Sequence, residues 1–286
     1  AAKGVVSGVA VEQQPFMKGF ARLCADGWDQ GWHERNGGNL TYRMTEEDVA
    51  KVRGGFDSEP REWVDLGFSE PTLANAYFLI TGSGAYMHNV SASPIENIGI
   101  VEMNEAGSAY RVVWGLMNRK PTSELPTHIM NHAIRMKATD GACRVIYHAH
   151  PNNIIAMTFV EPLDARTFSR ALWKAMTECV VVFPEGVGVV PWMVPGGNEI
   201  AKATSEQMKS YPAVIWAQHG LFVSGADFDE TFGLMHCIEK AADIYFRART
   251  MNGGSNEFLN TITDEGLAQI GVEFNVEINK EFLDVQ

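Results

Sequence analysis

The sequence of 286 residues lacks any apolar run that approaches the roughly 18 residues needed to cross a bilayer. Its start has no long apolar segment behind a basic one, so we expect neither a signal peptide nor a membrane partner. Basic residues are scarce as well. The 23 Lys and Arg against 35 Asp and Glu give a net charge of −12. Nucleic acid is therefore not an expected partner, because bulk electrostatics would oppose its binding.

Cysteine is sparse, and Cys24, Cys143, Cys179 and Cys237 are far apart with no CxxC pair. This spacing argues against a disulfide framework and a cysteine-type zinc site, and it predicts reduced thiols in a cytoplasmic protein. Internal repeats and low-complexity linkers are absent too. With 45% apolar and 20% charged residues, the composition is that of a globular protein. We expect a single domain over residues 1–286.

Apolar spacing predicts helices and strands in mixed order. Spacings of three and four indicate helices at 16–32, 125–137, 168–177, 199–210 and 229–251, with Ser123 and Asn198 as N-caps of the second and fourth. Short β-branched or aromatic runs indicate strands at 39–43, 77–81, 112–116, 145–150, 180–183, 214–216 and 220–223. Residues 49–71 are expected to be irregular. These elements predict a sheet covered by helices.

Three histidines follow two of the expected strands. His148 and His150 alternate at the end of one strand, so both project to the same side, about 7 Å apart along the chain. His219 follows another apolar strand and precedes Gly220. Three imidazoles from two neighbouring strands suit a catalytic Zn²⁺ with an open position. Ordinary core or surface histidines are the alternative.

A second histidine pair, His128 and His132, has helical i, i+4 spacing. The residue after the first is Ile129, so the Glu of an HExxH zinc motif is absent. We expect this pair to be structural or solvent-facing.

Small polar residues and glycines form three candidate anion sites, at residues 36–39, 81–84 and 121–125. Each offers backbone N–H groups, and the third lies at a helix N-terminus, where anions are favoured. Glu124 belongs to that third turn. Neither a GxxxxGK[ST] nor a GxGxxG motif is present. Ordinary turns and a helix cap are the alternatives.

In this order, the motifs resemble the zinc-dependent class II aldolases of the aldolase and adducin head family. Longer stretches, at 31–41, 114–126, 177–196 and 229–234, extend the resemblance from about residue 16 to residue 251. Residues 1–15 and 255–286 match poorly. The resemblance implies an α/β fold with one mainly antiparallel sheet and helices on both faces. It also implies aldol cleavage of a ketose phosphate, one Zn²⁺ per subunit and a homotetramer with active sites at subunit interfaces.

The resemblance further implies a role for individual residues. His148, His150 and His219 match the zinc ligands, and Glu124 matches the catalytic carboxylate. Glu178 matches a second acid that reaches the active site of the neighbouring subunit. The residues that match the ketose-phosphate binders are Asn36, Gly38, Asn39, Ser83, Thr122 and Ser123.

Other activities on the same fold stay open. They include aldolases for other 1-phosphoketoses, a pentulose-5-phosphate 4-epimerase and a thio-sugar phosphate dehydratase. A non-catalytic interaction domain of the adducin type is more remote, because it predicts lost metal ligands, whereas the three histidines and Glu124 are all present.

Overall fold

The computed structural model describes residues 10–285. Its strands are β1 (Asn39–Arg43), β2 (Val64–Asp65), β3 (Tyr77–Thr81), β4 (Ile98–Met103), β5 (Ala109–Gly115), β6 (Val145–Ala149), β7 (Gly188–Val190), β8 (Ala213–Trp216) and β9 (Gly220–Gly225). They form one nine-stranded sheet in the order β2-β5-β4-β3-β1-β6-β9-β8-β7. All neighbours pair antiparallel except β7 and β8, which are parallel. The predicted mainly antiparallel sheet is confirmed.

Helices cover both faces of this sheet. They are α1 (Pro15–Asp29), α2 (Glu46–Val52), α3 (Pro94–Asn97), α4 (Leu125–Ala138), α5 (Asn152–Met157), α6 (Ala165–Ala175), α7 (Thr177–Val182), α8 (Asn198–Met208), α9 (Phe228–Met251) and α10 (Asp264–Glu273). On one face, α1, α6 and α9 share an apolar core with every second residue of the central strands. On the other face, α4 and α8 bury the alternate set. In the described residues, no helix has the length and apolarity of a membrane span.

Strand β6 shows how this alternation positions the site. Val145, Tyr147 and Ala149 belong to the core beneath α9, whereas Ile146 belongs to the core beneath α8. Because side chains alternate with a period of two, His148 faces the same side as Ile146. The histidines at the end of β6 therefore lie on the face that α4 and α8 cover.

Several local predictions are wrong. Residues 180–183 were expected to form a strand, but most of them lie in α7, which packs against α6, α9 and α10. A short apolar run fits a buried helix as well as a strand, so periodicity alone does not separate the two. Gly197 rather than Asn198 caps α8, and Glu124 rather than Ser123 holds the N-cap position of α4.

Two segments contain helices that the sequence patterns did not predict. The segment 49–71 begins inside α2, whose start is fixed by a capping box between Thr45 and Asp48. The poorly matched C-terminal segment contains α10, which packs against α7. Asp264, its first residue, accepts hydrogen bonds from Arg170. Strands β2, β4 and β7 were not predicted.

The four cysteines, all within the described residues, are free thiols. The Sγ atoms of Cys179 and Cys237 lie 3.7 Å apart without a covalent bond. This agrees with the expectation of reduced thiols.

Candidate metal centre and active site

Three imidazole rings converge at one end of the sheet. His148 Nε2 lies 3.1 Å from His150 Nε2 and 3.2 Å from His219 Nε2. One ligand atom from each residue lies within 4.8 Å of the other two. A tetrahedral zinc ion with Zn–N bonds of about 2.0–2.1 Å would hold its nitrogen ligands roughly 3.3 Å apart. The spacing of these three donors therefore fits a shared metal ion.

The opposite nitrogens of two rings are held by outer partners. His148 Nδ1 donates to the backbone oxygen of Leu221 at 3.1 Å, and His150 Nδ1 lies 2.6 Å from Glu34 Oε1. Because an oxygen of this kind accepts a hydrogen bond, the proton belongs on Nδ1 and the Nε2 lone pair is free. Metal-bound histidines in proteins are oriented in the same way.

Burial keeps two of the three imidazoles, those of His148 and His219, neutral. His148 is fully buried, and its ring stacks on Phe222 at a centroid distance of 4.2 Å. Burial, followed by the neighbouring His150 and His219, holds the pKa of His148 well below its usual value. Burial also lowers the pKa of His219 to about 4. Neutral imidazole is the form that binds metal, so His148 and His219 are in the state that binds a cation.

Glu124 lies beside the three donors at the start of α4. One of its oxygens is 3.5 Å from His148 Nε2, and the other is 3.8 Å from His219 Nε2. Asn39 Nδ2 donates to the carboxylate at 2.7 Å. Burial raises the pKa of Glu124, and the hydrogen bond from Asn39 opposes part of that rise. A buried carboxyl this close to a metal position is suited to proton transfer.

The three candidate anion-binding turns meet at the same end of the sheet. Asn39 pairs with His148 in the β1–β6 register, which brings the 36–39 turn beside the cluster. The 81–84 turn joins the start of α4 through a bridge between Gly82 and Pro121 and a bond from Thr122 N to Thr81 O. The predicted ketose-phosphate binders on these turns include three exposed residues, Asn36, Ser83 and Ser123, and two buried ones, Asn39 and Thr122.

Gly38 in the first of these turns has a positive φ of 78°. A Cβ atom there would lie 2.3 Å from His33 Nδ1 and 2.7 Å from His148 O. Only glycine fits both this backbone conformation and this close approach. The turn therefore lies directly against the backbone of β6.

Glu178 is not part of this cluster in its own chain. It is exposed on α7 and lines a groove with Cys143 and Gly225. Because Val145 pairs with Gly225 while Ala149 pairs with Leu221, that groove lies at the opposite end of β6 and β9. Four residue steps of strand amount to about 13 Å. The expectation that Glu178 serves a neighbouring subunit stays a prediction.

Sequence reasoning missed two residues that support the site. Glu34 was not a candidate, yet it holds His150 Nδ1. His33 is buried, donates from Nδ1 to Gly37 O at 3.0 Å and lies 2.6 Å from the Tyr147 hydroxyl. Both precede the 36–39 turn. No spacing in the sequence marks them, because Tyr147 and His150, their partners on β6 and after it, are 114 and 116 residues away.

The sequence profile described as "Class II Aldolase and Adducin N-terminal domain" matches residues 18–246. The rhamnulose-1-phosphate aldolase of Shigella sonnei (strain Ss046) is 44% identical over 267 residues, covering 93% of this chain and 96% of the relative. A sugar-phosphate aldolase structure from Thermotoga maritima has a TM-score of 0.68 at 28% identity, covering 82% of this chain and 94% of that chain. The L-fuculose-1-phosphate aldolase structure from Thermus thermophilus has a TM-score of 0.55 at 20% identity, with 84% and 97% coverage.

Gly220 tests the metal centre. A Cβ atom there would lie 2.4 Å from Ala149 O and 2.9 Å from His150 Cδ2, so Gly220→Ala must displace the ends of β6 and β9. Because this displacement would disturb the groups that orient the histidine rings, we expect the Zn²⁺ affinity to fall roughly 10-fold or more. The affinity is measured by competition with a chelating dye. Gly54→Ala is the control, since a Cβ there meets nothing within 4 Å. Equal affinities in the two variants would contradict a metal site at these strand ends.

Proposed function

Because the chain belongs to the class II aldolase and adducin N-terminal domain family, we propose that it cleaves L-rhamnulose 1-phosphate into dihydroxyacetone phosphate and L-lactaldehyde. In this proposal it is a zinc-dependent cytoplasmic enzyme of L-rhamnose breakdown. One observation carries the proposal: three imidazole donors and the buried Glu124 converge at one end of the sheet. The 44% identity to a rhamnulose-1-phosphate aldolase supports the choice of substrate.

His148, His150 and His219 would hold the zinc ion. Three neutral imidazoles with an open fourth position are a donor set of catalytic zinc. When bound, the ion supplies a Lewis acid that polarises the ketose carbonyl. Glu34 and Glu124 place two carboxylates beside the donors, and their charge favours a divalent cation there.

Glu124 is the proposed acid and base at C3 of the substrate. When the bond between C3 and C4 breaks, its electron pair remains on C3, next to the carbonyl carbon. C3 must then gain a proton before dihydroxyacetone phosphate leaves, and in synthesis the same proton is removed. Glu124 lies 3.5 Å from His148 Nε2 and 3.8 Å from His219 Nε2, on the side of the metal donor atoms, and its raised pKa suits it to both directions.

The phosphate group would lie in the polar turns. Asn36, Ser83, Thr122 and Ser123 offer neutral donors, and Gly38 leaves its backbone open to close approach. Binding the phosphate there holds the reacting carbons over the metal donors, which lowers the entropic cost of the reaction. Neutral donors also agree with the net charge of −12.

Glu178 is proposed to act across a subunit boundary in a homotetramer. Cleavage requires a base that takes the proton of the C4 hydroxyl as the aldehyde forms. Glu178 lies at the opposite end of β6 and β9 from its own donor cluster, so as this base it would serve a neighbouring chain. A closed ring of subunits would place it there and exclude water from the site.

L-fuculose-1-phosphate aldolase is the second candidate function. The Thermus thermophilus structure of that name is similar at 20% identity, and this shows the fold alone. Pentulose-5-phosphate 4-epimerase activity is a further alternative. The higher identity to a rhamnulose-1-phosphate aldolase favours the first proposal, and the assay below separates all three.

The proposed activity predicts release of L-lactaldehyde from L-rhamnulose 1-phosphate by the purified protein. We expect about one Zn²⁺ per chain by metal analysis, loss of activity with a strong chelator and recovery on adding Zn²⁺ or Co²⁺. L-fuculose 1-phosphate and L-ribulose 5-phosphate are offered in parallel as the matched controls. Faster turnover of either control, or full activity without bound metal, would contradict the proposal.

We predict that replacing the Glu124 carboxyl by an amide causes a large loss of turnover. Glu124→Gln keeps the shape of the side chain and the bond from Asn39, but it removes the base, which is worth roughly 10²–10⁴-fold in turnover. We expect that loss with the zinc content retained. Glu105→Gln is the matched control, because Glu105 is exposed in the turn after β4. If the turnover of Glu124→Gln is close to that of the control, Glu124 has no catalytic role and is only a carboxylate at the start of α4.

Subunit mixing tests the role of Glu178. Glu178→Ala and His148→Ala subunits are each expected to be inactive, and exchange between them should restore some complete sites. Activity should rise well above that of either parent. The control mixes Glu124→Gln with His148→Ala, two changes in the same half of the site, which cannot complement each other. If tetramers shown by mass to be mixed remain inactive in the first experiment, Glu178 does not act across the boundary.

A further inference from the structure

A buried chain of hydrogen bonds leads away from Glu124 into the space between β1 and α4. Asn39 Nδ2 donates to Glu124, and Asn39 Oδ1 contacts His128 Nε2. His128 Nδ1 lies 2.7 Å from Thr41 Oγ1, and Thr41 Oγ1 lies 2.8 Å from His132 Nε2. The three outer members, Thr41, His128 and His132, are fully buried.

The proton positions in this series of hydrogen bonds follow from its first member, Glu124. A carboxylate accepts, so the amide nitrogen of Asn39 must face Glu124 and its oxygen must face His128. His128 therefore donates from Nε2 and accepts at Nδ1. Thr41 then donates its hydroxyl proton to His128 and accepts from His132 Nε2. His132 Nδ1 is left as a bare lone pair, and it has no hydrogen-bond partner among the described residues.

Burial supports this single arrangement. It lowers the pKa of His128 to about 3 and that of His132 well below the usual value. Both rings are therefore neutral, and each carries one ring proton. A protonated His128 would lose its acceptor at Nδ1, and the bond from the Thr41 hydroxyl would be lost with it. With both rings neutral, the direction of every hydrogen bond from His132 to Glu124 is determined.

We propose that His128 is a positioning residue that sets the orientation of the Asn39 amide, and through it the carboxyl of Glu124. This inference rests on the proposed function, in which Glu124 moves the proton at C3. The amide of an asparagine rotates readily between two orientations that differ in which atom faces a neighbour. The His128 Nε2 proton selects one of them, because only Asn39 Oδ1 accepts it.

Without the His128 Nε2 proton, the Asn39 amide would lose the hydrogen bond that holds its oxygen toward His128. Only the Glu124 carboxylate would then orient the amide, and whenever Glu124 takes up its proton Asn39 Oδ1 could turn toward it. The Glu124 side chain would lose its bond from Asn39 and move from its place beside His148. Small displacements of a catalytic group cost up to about 10²-fold in rate. Zinc binding does not depend on this chain, because none of its outer members contacts a metal ligand through a hydrogen bond in the described residues.

Two substitutions of His128 separate positioning from packing. His128→Leu fills the space without a donor, whereas His128→Gln places an amide N–H near the position of the imidazole Nε2. The readout is exchange of the C3 proton of dihydroxyacetone phosphate with D₂O, which reports the step of Glu124 directly. We expect a roughly 10- to 100-fold fall in exchange and in kcat for His128→Leu. His128→Gln should recover most of that loss, and both variants should keep their zinc.

A second pair of variants tests the next link with a matched control. Thr41→Val removes the hydroxyl that donates to His128 Nδ1, and it should slow exchange by a smaller factor. Thr127→Val makes the same change at a buried threonine of α4 whose hydroxyl has no hydrogen-bond partner in the described residues. Exchange in this control should equal that of the wild type.

Combination with Glu124→Gln completes the test. If His128 acts through Glu124, His128→Leu should slow the residual cleavage of Glu124→Gln no further. Wild-type exchange in folded, zinc-loaded His128→Leu would overturn the proposal, as would equal losses in the Leu and Gln variants. If His128→Leu does not fold, exchange in Thr41→Val equal to that in Thr127→Val would overturn it. Failure of the wild type to cleave L-rhamnulose 1-phosphate would instead count against the proposed function.

Discussion

The site depends on the antiparallel register between β6 and its two neighbours, β1 and β9. Asn39 is opposite His148 in one pair, and Ala149 is opposite Leu221 in the other. These pairings bring the start of β1, the end of β6 and the turn before β9 to the same place. A shift of one residue would turn His148 toward the opposite face of the sheet. Backbone hydrogen bonds thus determine which side chains meet before any side-chain contact is made.

The second constraint is electrostatic. Burial disfavours the charged form of both His148 and Glu124. It therefore shifts their pKa values in opposite directions, lowering that of the imidazole and raising that of the carboxyl. A cation held by the three histidines would offset the cost of burying the ionised Glu124. A buried carboxylate without a hydrogen-bond donor is costly, and the Asn39 amide supplies such a donor to Glu124. The polar chain behind Asn39 is the part of the molecule that fixes this donor.

The sequence predicts that His148 and His150 project together, because strand side chains alternate with a simple period. His148 and His150 are two residues apart, and the structure brings their Nε2 atoms to 3.1 Å. The buried positions of His128 and His132 exclude the solvent-facing alternative for that pair. Their contact with Thr41 was not predictable, because it joins a helix to a strand about 90 residues away in sequence.

Other features required tertiary information. Residues 180–183 are apolar, and three of them are β-branched. Packing of Cys179, Val180 and Phe183 in the core places 180–182 in α7 rather than in a strand. Glu34 supports His150 from a loop 116 residues away in the chain, so no local pattern marks it. The expected roles of Glu124 and of the three candidate anion-binding turns came from a resemblance to a family. Their placement at one end of the sheet is what the structure adds.

The central claim is that the Nε2 atoms of His148, His150 and His219 bind one zinc ion while their Nδ1 atoms face away from it. Anomalous diffraction at the zinc absorption edge, from crystals of the protein grown with Zn²⁺, tests this most directly. The account predicts one strong peak per chain, about 2.0–2.1 Å from each of the three Nε2 atoms. A peak elsewhere, or a metal bound through Nδ1 with the Leu221 and Glu34 contacts broken, would contradict it.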